Sequence, residues 1–197
     1  VKKMKKPFYI YGSLVLLVLL TLGVTFATFT DKANFVGTTF SVASSDIKLL
    51  NVYNGGTDPS NLVDSKPGPT FSNITPFWYE DYVVQIYNNG TGPLNLTSKA
   101  TYLTANDPEE LRQIIYVEMY DWEDTNGDGI PQQPEFDEHS LDGRKTIIKW
   151  NTQGFNLGLL PEGEVRTLVL RFSTDGISPA KQGSGILFDF SFDATGI

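Results

Sequence analysis

Gly185-Ile186-Leu187-Phe188-Asp189-Phe190-Ser191-Phe192-Asp193-Ala194-Thr195 alternates large apolar and polar side chains from Phe188 onward. Successive side chains of an extended chain point to opposite faces. Ile186, Phe188, Phe190 and Phe192 therefore share one face, and Asp189, Ser191 and Asp193 share the other. A slip of one residue would bury both carboxylates, so the register is strongly specified. The same period recurs at Tyr82, Val84 and Ile86, at Leu168, Leu170 and Phe172, and at Ile115, Val117 and Met119. Ile147, flanked by Lys145 and Lys149, reads as part of a more exposed strand.

Turn signals separate these runs. Asn88-Asn89-Gly90 supplies residues that tolerate positive φ. Pro161-Glu162-Gly163-Glu164 reads as a tight turn before the Val165–Phe172 strand, and Asn51 to Pro69 reads as a long polar loop. Asp107-Pro108-Glu109-Glu110 carries the marks of a short helix start, with an Asp cap and Pro at the first position. Roughly seven strands at this spacing point to a β-sandwich of jelly-roll or immunoglobulin-like type.

Composition narrows the function. The chain has 197 residues, no cysteine and one histidine, His139. Disulfides, thiol catalysis, Cys-ligated zinc and the two-His zinc motif are thereby excluded. Lys2, Lys3, Lys5 and Lys6 precede an uncharged stretch from Pro7 to Thr30. A basic start, an apolar core at Leu14 to Leu22 and small residues at Thr25 and Ala27 make an export signal with a cut after Ala27. The stretch is also long enough to span a bilayer if retained, which would tether the domain to a membrane. Beyond the leader, 15 − 4 = 11 basic residues face 23 acidic ones, a formal charge of 11 − 23 = −12. That surface argues against nucleic acid and anionic lipid and for divalent cations.

Asp124-Thr125-Asn126-Gly127-Asp128-Gly129-Ile130-Pro131-Gln132-Gln133-Pro134-Glu135 fits D-x-N-x-D-G-x5-E at every required position. Ca²⁺ takes several oxygens from a tightly turning loop. Asp124, Asn126 and Asp128 would offer side-chain oxygens, Ile130 its carbonyl, Gln132 a direct or water-mediated contact, and Glu135 a bidentate closure. Asp121, Glu123, Asp137 and Glu138 add negative field. Pro131 and Pro134 resist a following helix, so this is not a helix-flanked EF-hand. The bland alternative is a solvated acidic turn.

Three segments in order resemble the TasA/camelysin family of exported matrix proteins. One is Phe26-Ala27-Thr28-Phe29-Thr30-Asp31 with Gly37-Thr38-Thr39-Phe40-Ser41 and Ser45-Asp46-Ile47-Lys48-Leu49. The second runs from Ile74-Thr75-Pro76 through Tyr82-Val83-Val84-Gln85-Ile86-Tyr87 to Asn88-Asn89-Gly90-Thr91. The third is Leu160-Pro161-Glu162-Gly163-Glu164, Leu168 to Phe172, and Phe188 to Thr195. Thr75-Pro76-Phe77-Trp78-Tyr79-Glu80 departs from the family's Gly-Asp turn, and Ser44-Ser45 from its Ala-Gly. The resemblance implies a jelly-roll-like domain that polymerises head to tail, each mature N-terminal tail completing a neighbour's sheet. It also implies extracellular filaments, of the biofilm-matrix or bundling-pilus kind, that associate with neighbouring filaments.

The expected organisation is an all-β, jelly-roll-like β-sandwich with an extended N-terminal donor strand behind a cleaved signal peptide. Residues 1–27 form the signal peptide, 28–40 the donor strand, and 41–197 the sandwich with a calcium-loop insertion at 121–139. Thr28, Phe29, Thr30, Asp31 and Phe35 would lie on the donor strand, with Phe29 and Phe35 as anchors and backbone hydrogen bonds setting register. The bland alternative is that 29–40 is the domain's own first strand. Asn73, Asn89 and Asn95 head glycosylation sequons. Trp78, Trp122 and Trp150 suit core packing better than sugar stacking. The expectation is a secreted, non-enzymatic filament subunit whose partner is itself. The alternatives are a membrane-anchored calcium-binding surface domain, or a camelysin-like secreted metallopeptidase, against which the single histidine argues.

Overall fold

In the computed structural model, residues 33–42, 46–136, 138–181 and 183–197 are described. The expected signal peptide at 1–27 and Thr28, Phe29, Thr30 and Asp31 lie outside them.

The alternating C-terminal segment becomes β12 (Gly185–Gly196), and its four large apolar residues are all buried. Before it come β1 (Ala33–Val42), β2 (Ile47–Leu50), β3 (Leu62–Val63), β4 (Ser65–Pro67), β5 (Thr70–Ile74) and β6 (Tyr79–Asn88). They are followed by β7 (Leu94–Tyr102), β8 (Ile115–Asp121), β9 (Leu141–Thr146), a helix α1 (Ile147–Gln153), β10 (Phe155–Leu160) and β11 (Val165–Thr174). One sheet runs β10-β7-β12-β1-β4 with β5 also on β1, and the other runs β3-β2-β6-β11-β8-β9. The chain repeatedly crosses from one sheet to the other, so most sheet neighbours are not consecutive in sequence. The protein is an all-β sandwich, as the alternation requires: each sheet turns an apolar face inward, and the two inner faces bury each other.

The second sheet brings Val84 and Ile86 of β6, Leu168, Leu170 and Phe172 of β11, and Val117 and Met119 of β8 into that core, all fully buried. Aromatic rings join the sheets. Phe190 stacks on Phe40 at 4.7 Å and on Trp150 at 4.5 Å, and meets Phe172 at 5.6 Å.

Three local expectations are corrected. Residues 147–149 are not strand: α1 begins at Ile147, with the Thr146 hydroxyl accepting from the Lys149 N–H. Its three-residue spacing puts Ile147 and Trp150 on one buried face. The β-branched pair Ile147-Ile148 favours strand locally, but burial of Trp150 against Phe190 outweighs so small a propensity. The Asn51–Pro69 loop contains β3 and β4, which pair with β2 and β1. Asp107 caps no α-helix. Its buried carboxylate accepts from the Leu111 and Arg112 N–H groups at 2.6 and 3.2 Å and pairs with the Arg112 guanidinium, organising a 3-10 turn at Leu111–Gln113.

The Asn88 turn works differently from its expected mechanism. Asn88 is fully buried, and its amide nitrogen donates to the carbonyls of Gly92, Leu160 and Pro161 while its oxygen accepts from Gly90. The side chain, rather than a positive φ, fastens the β6–β7 turn to the β10–β11 turn.

Candidate functional site

The acidic segment leaves β8 and returns under Trp122 and Phe136, which form an isolated antiparallel bridge. The Glu123 N–H donates to the Glu135 carbonyl at 3.2 Å, closing the excursion at its neck. Gly127 and Gly129 both take positive φ, +77° and +72°. Only glycine does this without strain, and Gly129 stands where the motif demands its sharp turn.

The side-chain oxygens of Asp124, Asn126 and Asp128 accept from N–H groups of the turn. Asp124 accepts from the N–H groups of Gly127 and Gly129 at 2.7 and 2.9 Å, and from the Tyr53 hydroxyl at 3.0 Å. Asn126 Oδ1 accepts from Asp128 N–H, and Asp128 Oδ1 from Ile130 N–H, both at 2.8 Å. Gln132 Nε2 donates to the second Asp128 oxygen at 2.8 Å. The Glu135 carboxylate is 7% exposed and accepts from the Trp122 indole N–H at 3.0 Å and, more weakly, from the Thr125 hydroxyl at 3.4 Å.

The structure therefore places five of the six candidates on one turn, with Glu135 at its buried root and the Ile130 side chain exposed. Among the described residues, no three His, Cys, Asp or Glu side chains converge as a metal-holding group. The reason is visible in the hydrogen bonds: each carboxylate is turned toward protein donors. A carboxylate has about four lone-pair sites, so these bonds leave acceptor capacity for a cation. An all-oxygen donor set on a glycine-turned loop fits a hard divalent ion such as Ca²⁺ and disfavours softer metals.

Electrostatics favour negative charge on the turn. Loss of hydration pushes the Asp124 carboxyl up, but the Gly129 N–H, the Tyr53 hydroxyl and the N–H groups of Gly127 and Asp128 outweigh it and hold it below the ordinary range. The Tyr53 hydroxyl is pushed up, first by burial and then by its bond to Asp124. Glu135 forms no ion pair among the described residues. Arg166 lines a groove with Trp122, Glu135 and Phe136 but is taken by Asp121 at 2.6 and 2.8 Å, and also donates to the Leu157 carbonyl.

Sequence reasoning missed the loop's footing. Tyr120, Trp122, Phe136 and Val169 form a second buried cluster on the outer face of the β6-β11-β8 sheet, with Tyr53 and Val83 against it. Tyr53 stacks on Trp122 at 5.5 Å. Arg171, paired with Asp81 at 2.8 Å, lies over the Tyr120 and Phe136 rings. An exposed loop with its own aromatic floor is positioned firmly.

The second site is the N-terminal strand. β1 lies inside its sheet, parallel to β12 on one side and antiparallel to β4 and β5 on the other. Its ladder with β12 is the one parallel pairing among the described strands. Phe35 pairs through its backbone with Ile186 and Phe71. Between Gly37 and Phe40 the register shifts: β1 advances three residues while β12 advances two. That bulge lets Phe40 enter the core, fully buried and stacked on Phe190, on Tyr82 at 5.2 Å and on Phe192 at 6.0 Å. Phe29 lies outside the described residues, and Phe40 is an anchor that the described strand displays. Its signal in the sequence was hidden because the bulge breaks the alternation.

Asn89 and Asn95 are exposed, while the Asn73 backbone lies in β5. Trp122 and Trp150 are buried and Trp78 is half-buried, which accords with packing. His139 is exposed.

No protein-family model matches this chain, and no curated protein matches it. Among solved structures it is similar to the ASH / PapD-like domain of human CEP192 (PapD-like domain 7). The identity is 10%, over 63% of this chain and 76% of that one, with a TM-score of 0.24.

Proposed function

We propose that this protein is a secreted, non-enzymatic structural subunit that polymerises head to tail into an extracellular filament by donating its N-terminal strand. Ca²⁺, held by Asp124, Asn126, Asp128, the Ile130 carbonyl, Gln132 and Glu135, stiffens the subunit. The observation that carries this reading is the place of β1, a terminal strand seated between two others of its sheet and plugged by Phe40. Taking β1 away would leave a one-strand gap floored by the rings of Tyr82, Phe190 and Phe192. A second copy's β1 has the same sequence and refills the gap with the same contacts. Exchange is therefore nearly neutral in contact energy and is decided by concentration and tether geometry. A donation that never closes into a ring gives an open filament. Glu135, buried and hydrogen-bonded to Trp122 and Thr125 with no Lys or Arg paired to it among the described residues, supports the calcium part, since its carboxylate keeps lone pairs for a cation.

The test is electron microscopy of the exported protein, with Ca²⁺ and with chelator, beside a chain lacking Thr28–Phe35. Filaments that vanish with the deletion are expected. A monomer under every condition would overturn the filament reading.

One observation favours a second reading, in which the leader is retained and the chain is a monomeric, membrane-anchored calcium-binding surface domain. β1 is fully accommodated in its own chain's sheet and needs no neighbour. The mass of the mature N-terminus separates the two.

A further inference from the structure

The chain holds three Asn-Gly pairs, Asn54-Gly55, Asn89-Gly90 and Asn126-Gly127. Glycine has no Cβ to keep its nitrogen away from the preceding side chain, so each pair could close a five-membered ring. The fold treats the three differently. A Cβ at Gly55 would lie 2.7 Å from Asn61, its N–H donates to the Val52 carbonyl at 3.0 Å, and Asn54 Oδ1 accepts from Gln85. At Gly90 a Cβ would meet Asn88 and Asp46 at 3.1 and 3.2 Å, and the N–H donates to the Asn88 side-chain oxygen at 2.9 Å. Both of these nitrogens are crowded and bonded to neutral acceptors.

Asn126 and Gly127 are exposed, and nothing lies within 4 Å of where a Gly127 Cβ would stand. The Gly127 N–H donates to the Asp124 carboxylate at 2.7 Å, a charged acceptor that draws on its proton. Asn126 Oδ1 accepts from the Asp128 N–H at 2.8 Å. A donor on that oxygen steadies the negative charge that gathers there when its carbonyl carbon is attacked. Nucleophile, proton acceptor and oxyanion donor thus meet within Asp124–Asp128.

We propose that Asn126 is a self-modification site, where the Gly127 nitrogen closes a succinimide that opens to aspartate or isoaspartate. The Gly127 nitrogen bonds to Asn126 Cγ, and its proton leaves toward Asp124. The bond from Cγ to the side-chain nitrogen breaks, and that NH2 departs with a proton as ammonia. Solvent water then adds to either imide carbonyl and cleaves its bond to nitrogen, with no change of oxidation state. Opening at Cγ leaves an aspartate, which the calcium pattern accepts at its third position and which adds a charged ligand. Opening at the other carbonyl routes the backbone through Cγ and lengthens the turn. Bound Ca²⁺ suppresses the step, because it claims the Asp124 and Asn126 oxygens that the step uses. This protection rests on the calcium reading.

The test incubates the exported full chain at neutral pH with Ca²⁺, with chelator, and in urea, following the three asparagines by peptide mass spectrometry. In chelator Asn126 should convert about tenfold faster than Asn54 and Asn89, a barrier lower by about 1.4 kcal/mol. Ca²⁺ should remove that lead, and in urea the three should convert alike. An Asn126 no faster than the others in the folded chain would overturn the proposal. A lead that persists in urea would belong to the neighbouring sequence and overturn the geometric account. A rate indifferent to Ca²⁺ while Tm rises with Ca²⁺ would overturn the protection. If both are indifferent, the calcium reading falls and the modification site stands.

Discussion

Trp122 donates its indole N–H to the Glu135 carboxylate at 3.0 Å, joining the first residue after β8 to the last ligand position of the acidic loop. The bond holds a carboxylate at the loop's root without neutralising it. Removing that charge should leave the fold standing and remove the cation. In thermal unfolding with Ca²⁺ and with chelator, the wild-type Tm should rise with Ca²⁺ and that of Glu135→Gln should not. A tenfold excess over Kd corresponds to about 1.4 kcal/mol of stabilisation. A wild-type Tm indifferent to millimolar Ca²⁺ would defeat the calcium assignment.

Asp124 links the same loop to Tyr53, and the Gly129 N–H, the Tyr53 hydroxyl and its other donors hold its carboxyl below the ordinary aspartate range despite lost hydration. For a carboxyl depressed on folding, the unfolded chain takes up the proton first as pH falls. The stabilisation is thus complete above the unfolded value and is lost as pH falls through the folded one. Acid titration followed by circular dichroism should show Asp124→Asn losing less stability than wild type as pH falls below the ordinary aspartate range. Equal slopes would mean that the turn does not depend on this charge.

Phe40 fills the space between β1, β12 and β6. Phe40→Ala should destabilise the chain by about 3–5 kcal/mol, as for other buried aromatics, read from urea denaturation. If β1 does not belong to the folded core, the loss will be under about 1 kcal/mol, the scale of a surface change.

Asn88→Ala would strip four hydrogen bonds from two turns. Leaving buried carbonyls unpaired costs about 1–3 kcal/mol each, so several degrees of Tm should be lost. Asn89→Ala, one residue on and exposed, should be near neutral. Comparable losses at both positions would point to backbone conformation rather than the Asn88 amide.

Much of the sandwich was legible because burial imposes period two. The faces at 82–86, 115–119, 168–172 and 186–192 could be read without neighbours, since each strand's own alternation states which side is wet. The acidic turn was legible for a similar reason: its candidate ligands and glycine lie within twelve consecutive residues. Its footing was not, because Tyr53 and Arg171 reach it from 71 and 47 positions away from Asp124 by number, 124 − 53 and 171 − 124.

Sequence alone therefore settled what short-range patterning can settle: the all-β class, the inward faces, and an acidic turn with all its oxygen donors in order. Tertiary structure decided the rest. It turned Ile147–Gln153 into a helix because Trp150 gains more by packing on Phe190 than the local strand preference is worth. It placed β1 parallel to β12, a pairing between residues some 150 positions apart that no local pattern encodes (185 − 34 = 151 for its first pair). It also inserted the bulge that delivers Phe40 to the core, because side-chain direction at a register shift is set by the partner strand and not by the strand's own sequence.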